Sequence, residues 1–69
     1  MTQTQKAVVI GMANNSLSVT KTAREMHYHH NTIQFHVQMI HKQTGLNPRN
    51  FFDMIQLYQE ATGGGSDES

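Results

Sequence analysis

Ile33, Val37, Ile40 and Thr44 stand at i, i+4, i+7 and i+11, and the next residue is Gly45. That spacing puts four side chains on one face of an α-helix, and a glycine just past the last of them is where a left-handed C′ residue closes a helix. Leu46 is placed to make the hydrophobic contact back onto the last turn that accompanies such a stop. The stripe therefore predicts a helix over 30–44 that buries one face and needs partners to bury it against. No segment alternates with the strand period of two, and a chain of 69 residues without cysteine has neither disulfides nor thiolate metal ligands to staple a small core. What remains is an all-α fold, a small three- to four-helix bundle containing a helix-turn-helix and no sheet.

The other helices follow from weaker signals. Ala7, Val8, Val9, Ile10 and Met12 give apolar surface for one short helix over 4–13 despite Gly11, and Asn14, Asn15 and Ser16 break it. Ser18 is an N-cap for a helix over 19–26, in which Val19, Thr22, Ala23 and Met26 share one face. A last helix can start from Asn47, with Pro48 at its first position, or from Asn50, with Asp53 in the first turn favoured by the helix dipole. Asn50 is preferred, giving 50–61 with an apolar stripe of Phe51, Ile55, Tyr58 and Ala61 that Met54 and Leu57 broaden. One domain over 1–62 is expected, and the Gly/Ser-rich, acidic stretch 63–69 reads as a disordered tail.

Formal net charge is zero, which opposes binding to a polyanion, because phosphates are neutralised mainly by Lys and Arg. The objection weakens once Asp67 and Glu68 are assigned to the tail: residues 1–62 carry five basic and three acidic side chains, a net charge of +2. No apolar run approaches the roughly 20 residues of a membrane span, so no membrane partner is expected. Lack of cysteine fits a reducing, cytoplasmic setting.

A short helix, a turn of three or four residues and a second helix is the frame that sets one helix into the major groove of DNA. Ala23 supplies the small residue needed where two such helices cross, with Met26, Tyr28, Ile33 and Val37 as the apolar neighbours closing the angle. Any small helical bundle could offer the same residues, so the frame alone leaves both readings open. Around the 30–44 helix, the residues away from the buried stripe are largely uncharged. Asn and Gln can bond adenine edges bidentately and Phe can touch a thymine methyl, which makes His30, Asn31, Thr32, Gln34, Phe35 and Gln38 the candidate base-reading surface. Thr20, Lys21 and Lys42 are the candidate phosphate contacts, helped by free amides at the start of the helix. Met39 is assigned to packing.

Five histidines invite a metal reading, but His36 and His41 are five apart and no cysteine or nearby carboxylate completes a tetrahedral set. His27, His29 and His30 read instead as a turn, with His29 at the N-cap of the long helix. No metal and no cofactor is expected. Without a phosphate-binding glycine loop or a poised carboxylate pair, neither is an enzyme. The rival to DNA binding is a helical protein-interaction or dimerisation module in which Phe35, Met39, Phe52 and Leu57 meet a partner helix or a second copy.

From Ser18 to Tyr58 the chain resembles the C-terminal helix-turn-helix domain of the PucR/CdaR regulators, the purine-catabolism and sugar-diacid activators of bacteria. Thr22 and Ala23 match that family's Thr-Ala pair, His29 its His, Asn31 and Thr32 its Asn-Thr, and Ile33 the Leu that follows. Phe35 stands for a Tyr, Thr44-Gly45-Leu46 reproduces Thr-Gly-Leu, Asn50 and Asp53 sit where the last helix opens, and Leu57-Tyr58 closes the match. His30 and His36 stand where the family has Arg, so the helix has exchanged fixed charges for rings that offer one donor and one acceptor when neutral. The resemblance implies double-stranded DNA as partner and transcription regulation as function. It also implies a homodimer in a longer regulator, whose upstream parts bind a small-molecule effector.

Overall fold

A computed structural model describes residues 1–63. Four helices follow one another: α1 (Gln3–Asn14), α2 (Val19–Met26), α3 (His30–Thr44) and α4 (Phe51–Thr62). Among the described residues there is no strand. The expected tail lies, beyond Gly63, outside the described residues.

α1 begins with a capping box: Thr2 Oγ1 accepts the Gln5 N–H at 3.1 Å, and Gln5 Oε1 accepts the Thr2 N–H at 3.0 Å. The bonded Gln5 side chain is buried and its Nε2 donates to Gln43 Oε1 at 3.1 Å, tying the first turn of α1 to the last turn of α3. At its other end Asn15 Nδ2 donates to the Gly11 carbonyl and to Glu25 Oε1. Ser16 and Leu17 then take φ values of 56° and 64°, left-handed conformations that a β-carbon makes costly. Leu17 recovers part of that cost through its N–H, which donates to the Met12 carbonyl at 2.7 Å, and through packing on the core.

At Gly11 α1 passes close to α2. A Cβ at Gly11 would lie 2.9 Å from Cγ2 of Thr22. That methyl cannot swing aside, because Thr22 is fully buried and its Oγ1 donates to the Ser18 carbonyl at 2.7 Å. Ser18 caps α2 by accepting the Lys21 N–H. α2 ends on His27, a non-glycine residue at φ 61°, and the Tyr28 N–H returns to the Ala23 carbonyl at 2.9 Å. Tyr28 was expected among the apolar neighbours that close the angle between α2 and α3; it is 42 % exposed, and its N–H serves to close the end of α2.

Val8, Val9 and Met12 of α1, Val19 and Ala23 of α2, Ile33, Val37 and Ile40 of α3 and Met54, Leu57 and Ala61 of α4 make one core. α1 touches all three other helices and α2 packs on α3, whereas the backbone of α4 runs along α1 alone. The apolar stripe expected on α4 was Phe51, Ile55, Tyr58 and Ala61, and its phase needs correcting. Met54 and Leu57 join Ala61 inside, while Phe51, Ile55 and Tyr58 are 61, 46 and 39 % exposed. The cause lies in the preceding loop. Pro48 is fully buried, and Asp53 Oδ2 accepts the Asn47 N–H at 2.9 Å, which turns Asp53 toward the loop. At 100° per residue that rotation sends Met54 and Leu57 inward and leaves Phe51, Ile55 and Tyr58 on the flank.

Candidate nucleic-acid interface

α3 is the helix on which a reading surface can be built, because its two faces are cleanly divided. Ile33, Val37 and Ile40 are buried and Thr44 is half-buried. Thr44 Oγ1 donates to the Ile40 carbonyl at 2.7 Å, and Gly45 follows at φ 76° with its N–H on the His41 carbonyl. Displaced two residues, hence 200° around the axis, Asn31, Phe35, Gln38 and Lys42 form a second row at the same i, i+4, i+7, i+11 spacing. All four are exposed, Phe35 by 57 %. This row brings together three of the expected base-reading residues and one expected phosphate contact.

The other candidates flank it. Thr32 is exposed on one edge, while exposed His30 and half-buried Gln34 lie toward the opposite edge. His36 is half-buried and turned away from the outer row; its ring meets that of Phe35 edge-on at 5.5 Å between centroids, which orients the phenylalanine. Thr20 and Lys21 are exposed in the first turn of α2. Their neighbour Val19 shares a crevice with Gln34 and Gln38, which places that turn beside the His30–Gln34 edge of α3.

One expectation about this region fails. Amides at the start of α3 were expected to be open to an anion, but the Asn31 N–H donates to His29 Nδ1 at 3.0 Å and the Thr32 N–H to the His29 carbonyl at 2.9 Å. With the N-cap side chain and the tight first turn holding these donors, the His30 N–H is the one first-turn amide of α3 with no bond among the described residues.

The crevice has a volume of about 180 Å³. Buried Val19 and Val37 line it together with Gln34, Gln38 and His41 of α3 and Asn47 and Arg49 of the α3–α4 loop. Arg49 and His41 were not singled out from the sequence. Their signal is weak there, since Arg49 lies in a loop eleven positions past Gln38 and only the fold brings it alongside α3.

A second concavity, of about 520 Å³, is apolar and lies elsewhere: Ala13, Leu17, Phe51, Met54, Ile55 and Tyr58 line most of it, between the α1–α2 turn and α4. Among the described residues no three His, Asp or Glu side chains are grouped as a metal site requires. No helix among them is long and apolar enough to cross a membrane.

The family model of the PucR C-terminal helix-turn-helix domain matches residues 9–60, from within α1 through most of α4. No curated protein and no solved structure matches the chain.

Proposed function

Since the chain belongs to the PucR C-terminal helix-turn-helix family, we propose that it is the sequence-specific DNA-binding domain of a bacterial, cytoplasmic transcription regulator, with α3 lying in the major groove. The outer row of α3 carries this reading: Asn31, Phe35 and Gln38 are exposed on the face opposite the buried stripe. Asn and Gln are the side chains that bond adenine N6 and N7 in pairs, and a phenyl ring suits the thymine methyl. His30, Thr32 and Gln34 extend the row sideways, while Lys42, Lys21 and Thr20 meet phosphates and fix register. In this reading the domain works as one of a pair on repeated half-sites, the effector binds elsewhere in a longer protein, and the domain itself performs no catalytic step.

An amide NMR titration with a short random-sequence duplex, at low and at physiological salt, tests it. Salt-sensitive shifts confined to residues 30–38 and to Thr20 and Lys21 are the expected result. Still amides there would remove α3 from the DNA.

The exposed row on α4 favours a second reading, a helical interaction module without DNA readout. Phe51, Phe52, Ile55 and Tyr58 are all more than a third exposed, with the apolar concavity beside three of them. In that case the shifts follow protein concentration, appear on α4 and ignore the duplex.

A further inference from the structure

We propose that the α3–α4 loop is a second DNA-contacting element, in which Arg49 binds a backbone phosphate of the strand that runs along the Gln34–Gln38 edge of α3. The inference rests on the DNA-binding reading above and adds to it a contact from outside the helix-turn-helix.

The loop is stiff. Pro48 is fully buried, Asn47 donates its N–H to Asp53 Oδ2, Arg49 donates its N–H to Asn47 Oδ1 at 2.9 Å, and Asn50 donates its N–H to the Asn47 carbonyl at 2.9 Å. Four consecutive residues are therefore held in place, and the backbone that carries Arg49 is fixed before any ligand arrives. A guanidinium mounted on an ordered loop loses less freedom on binding than one on a mobile loop.

The side chain itself is uncommitted. Arg49 is exposed, and its guanidinium has no hydrogen bond or ion pair among the described residues. Asp53, the carboxylate nearest in sequence, is occupied by the Asn47 N–H. No carboxylate lines the crevice beside Arg49, whose walls are amides, an imidazole and the cation itself. Arg49 differs from the other four basic residues in lying in this crevice, where a cation with no acidic neighbour among the described residues suits an anionic partner.

Position selects the kind of anion. Arg49 shares the crevice with Val19 at the start of α2 and with Gln34 and Gln38 of α3. A DNA strand passing along that edge meets Thr20 and Lys21 from α2 and Arg49 from the loop, while Asn31, Phe35 and Gln38 face the bases. This supplies part of the charge that α3 lacks where His30 and His36 stand.

The test is fluorescence anisotropy with one random-sequence duplex across a salt series, on the wild type, Arg49→Gln, Arg49→Lys and Lys21→Ala. Loss of one phosphate contact should lower the slope of log K against log salt by about 0.9 for Arg49→Gln. Arg49→Lys should keep the slope, and the melting temperature should not move, because only backbone atoms of Arg49 hold the loop. A wild-type slope retained in Arg49→Gln, while Lys21→Ala lowers it, overturns the Arg49 contact and leaves the DNA-binding reading standing. Absence of salt-dependent binding by the wild type overturns both. Titration with inorganic phosphate alone, followed at the Arg49 Nε–H by NMR, separates the phosphate sources. No saturable shift is expected without DNA, and saturation by free phosphate would make the crevice an anion site and overturn the proposal.

Discussion

α3 and α4 each bury three residues in the core and have opposite outer faces. α3 turns Asn31, Gln38 and Lys42 outward around one phenylalanine, whereas α4 turns Phe51, Phe52, Ile55 and Tyr58 outward. On α3 the polar and apolar residues are sorted around the axis, so the hydrophobic effect by itself decides which face goes in. On α4 Asp53, Gln56 and Glu60 share one narrow polar face and apolar residues cover a wide arc on either side, so burial alone leaves a range of rotations open. There a polar contact decides, the one from Asp53 to the Asn47 N–H. A helix can owe its orientation to its own pattern or to the loop before it.

The largest test of that contrast compares two substitutions on α4. Leu57 is fully buried and Ile55 is 46 % exposed. Leu57→Ala should therefore cost about 2–5 kcal/mol in urea denaturation. Ile55→Ala should cost about 1 kcal/mol or less. Reversed costs would mean that α4 is rotated as the simple stripe implies. On α3 the corresponding loss should appear in binding. Asn31→Ala should lower discrimination between preferred and random duplexes by about 1–3 kcal/mol. The melting temperature should change little; a fall in stability matching the fall in affinity would make Asn31 structural.

Asp53→Ala addresses the loop directly. It leaves a partly buried Asn47 N–H without its acceptor and removes the only acidic group from the first turn of α4, which should cost about 1–2 kcal/mol. Asp53→Asn should recover part of this. If neither changes stability or amide exchange in α4, the loop does not set the helix. The smallest effect is expected from Phe35→Ser and Phe52→Ser, each within about 0.5 kcal/mol of the wild type in stability. Only Phe35→Ser should weaken duplex binding. A Phe52→Ser protein that loses DNA affinity would erase the division of labour between the two helices.

The same contrast explains what could be read in advance. α2 and α3 begin and end at the expected residues because Ser18 caps one and Gly45 closes the other, both local signals. α1 begins one residue earlier than expected and ends one residue later; its start is set by the Thr2–Gln5 capping box, which depends on side-chain bonds rather than on the apolar stripe. Gly11 looked like a weak point in a helix and is the contact at which α1 meets Thr22, which requires knowing where α2 lies. His27 at φ 61° carries no local mark, because histidine in a left-handed cap looks like any other histidine. In the candidate site, that Asn31, Phe35, Gln38 and Lys42 share one exposed row follows from 100° per residue alone. The place of Arg49 beside Gln38 does not, since it depends on the path of a loop that Pro48 and Asp53 shape together.

His29 caps α3 by accepting the Asn31 N–H at Nδ1, and an imidazole that accepts on one nitrogen carries its hydrogen on the other. While the cap holds, the free side of that ring is a donor and nothing else. The threshold of α3 thus has a chemical polarity: it can greet a phosphate oxygen, a guanine O6 or a thymine O4, and it has no lone pair to offer the amino groups of adenine or cytosine.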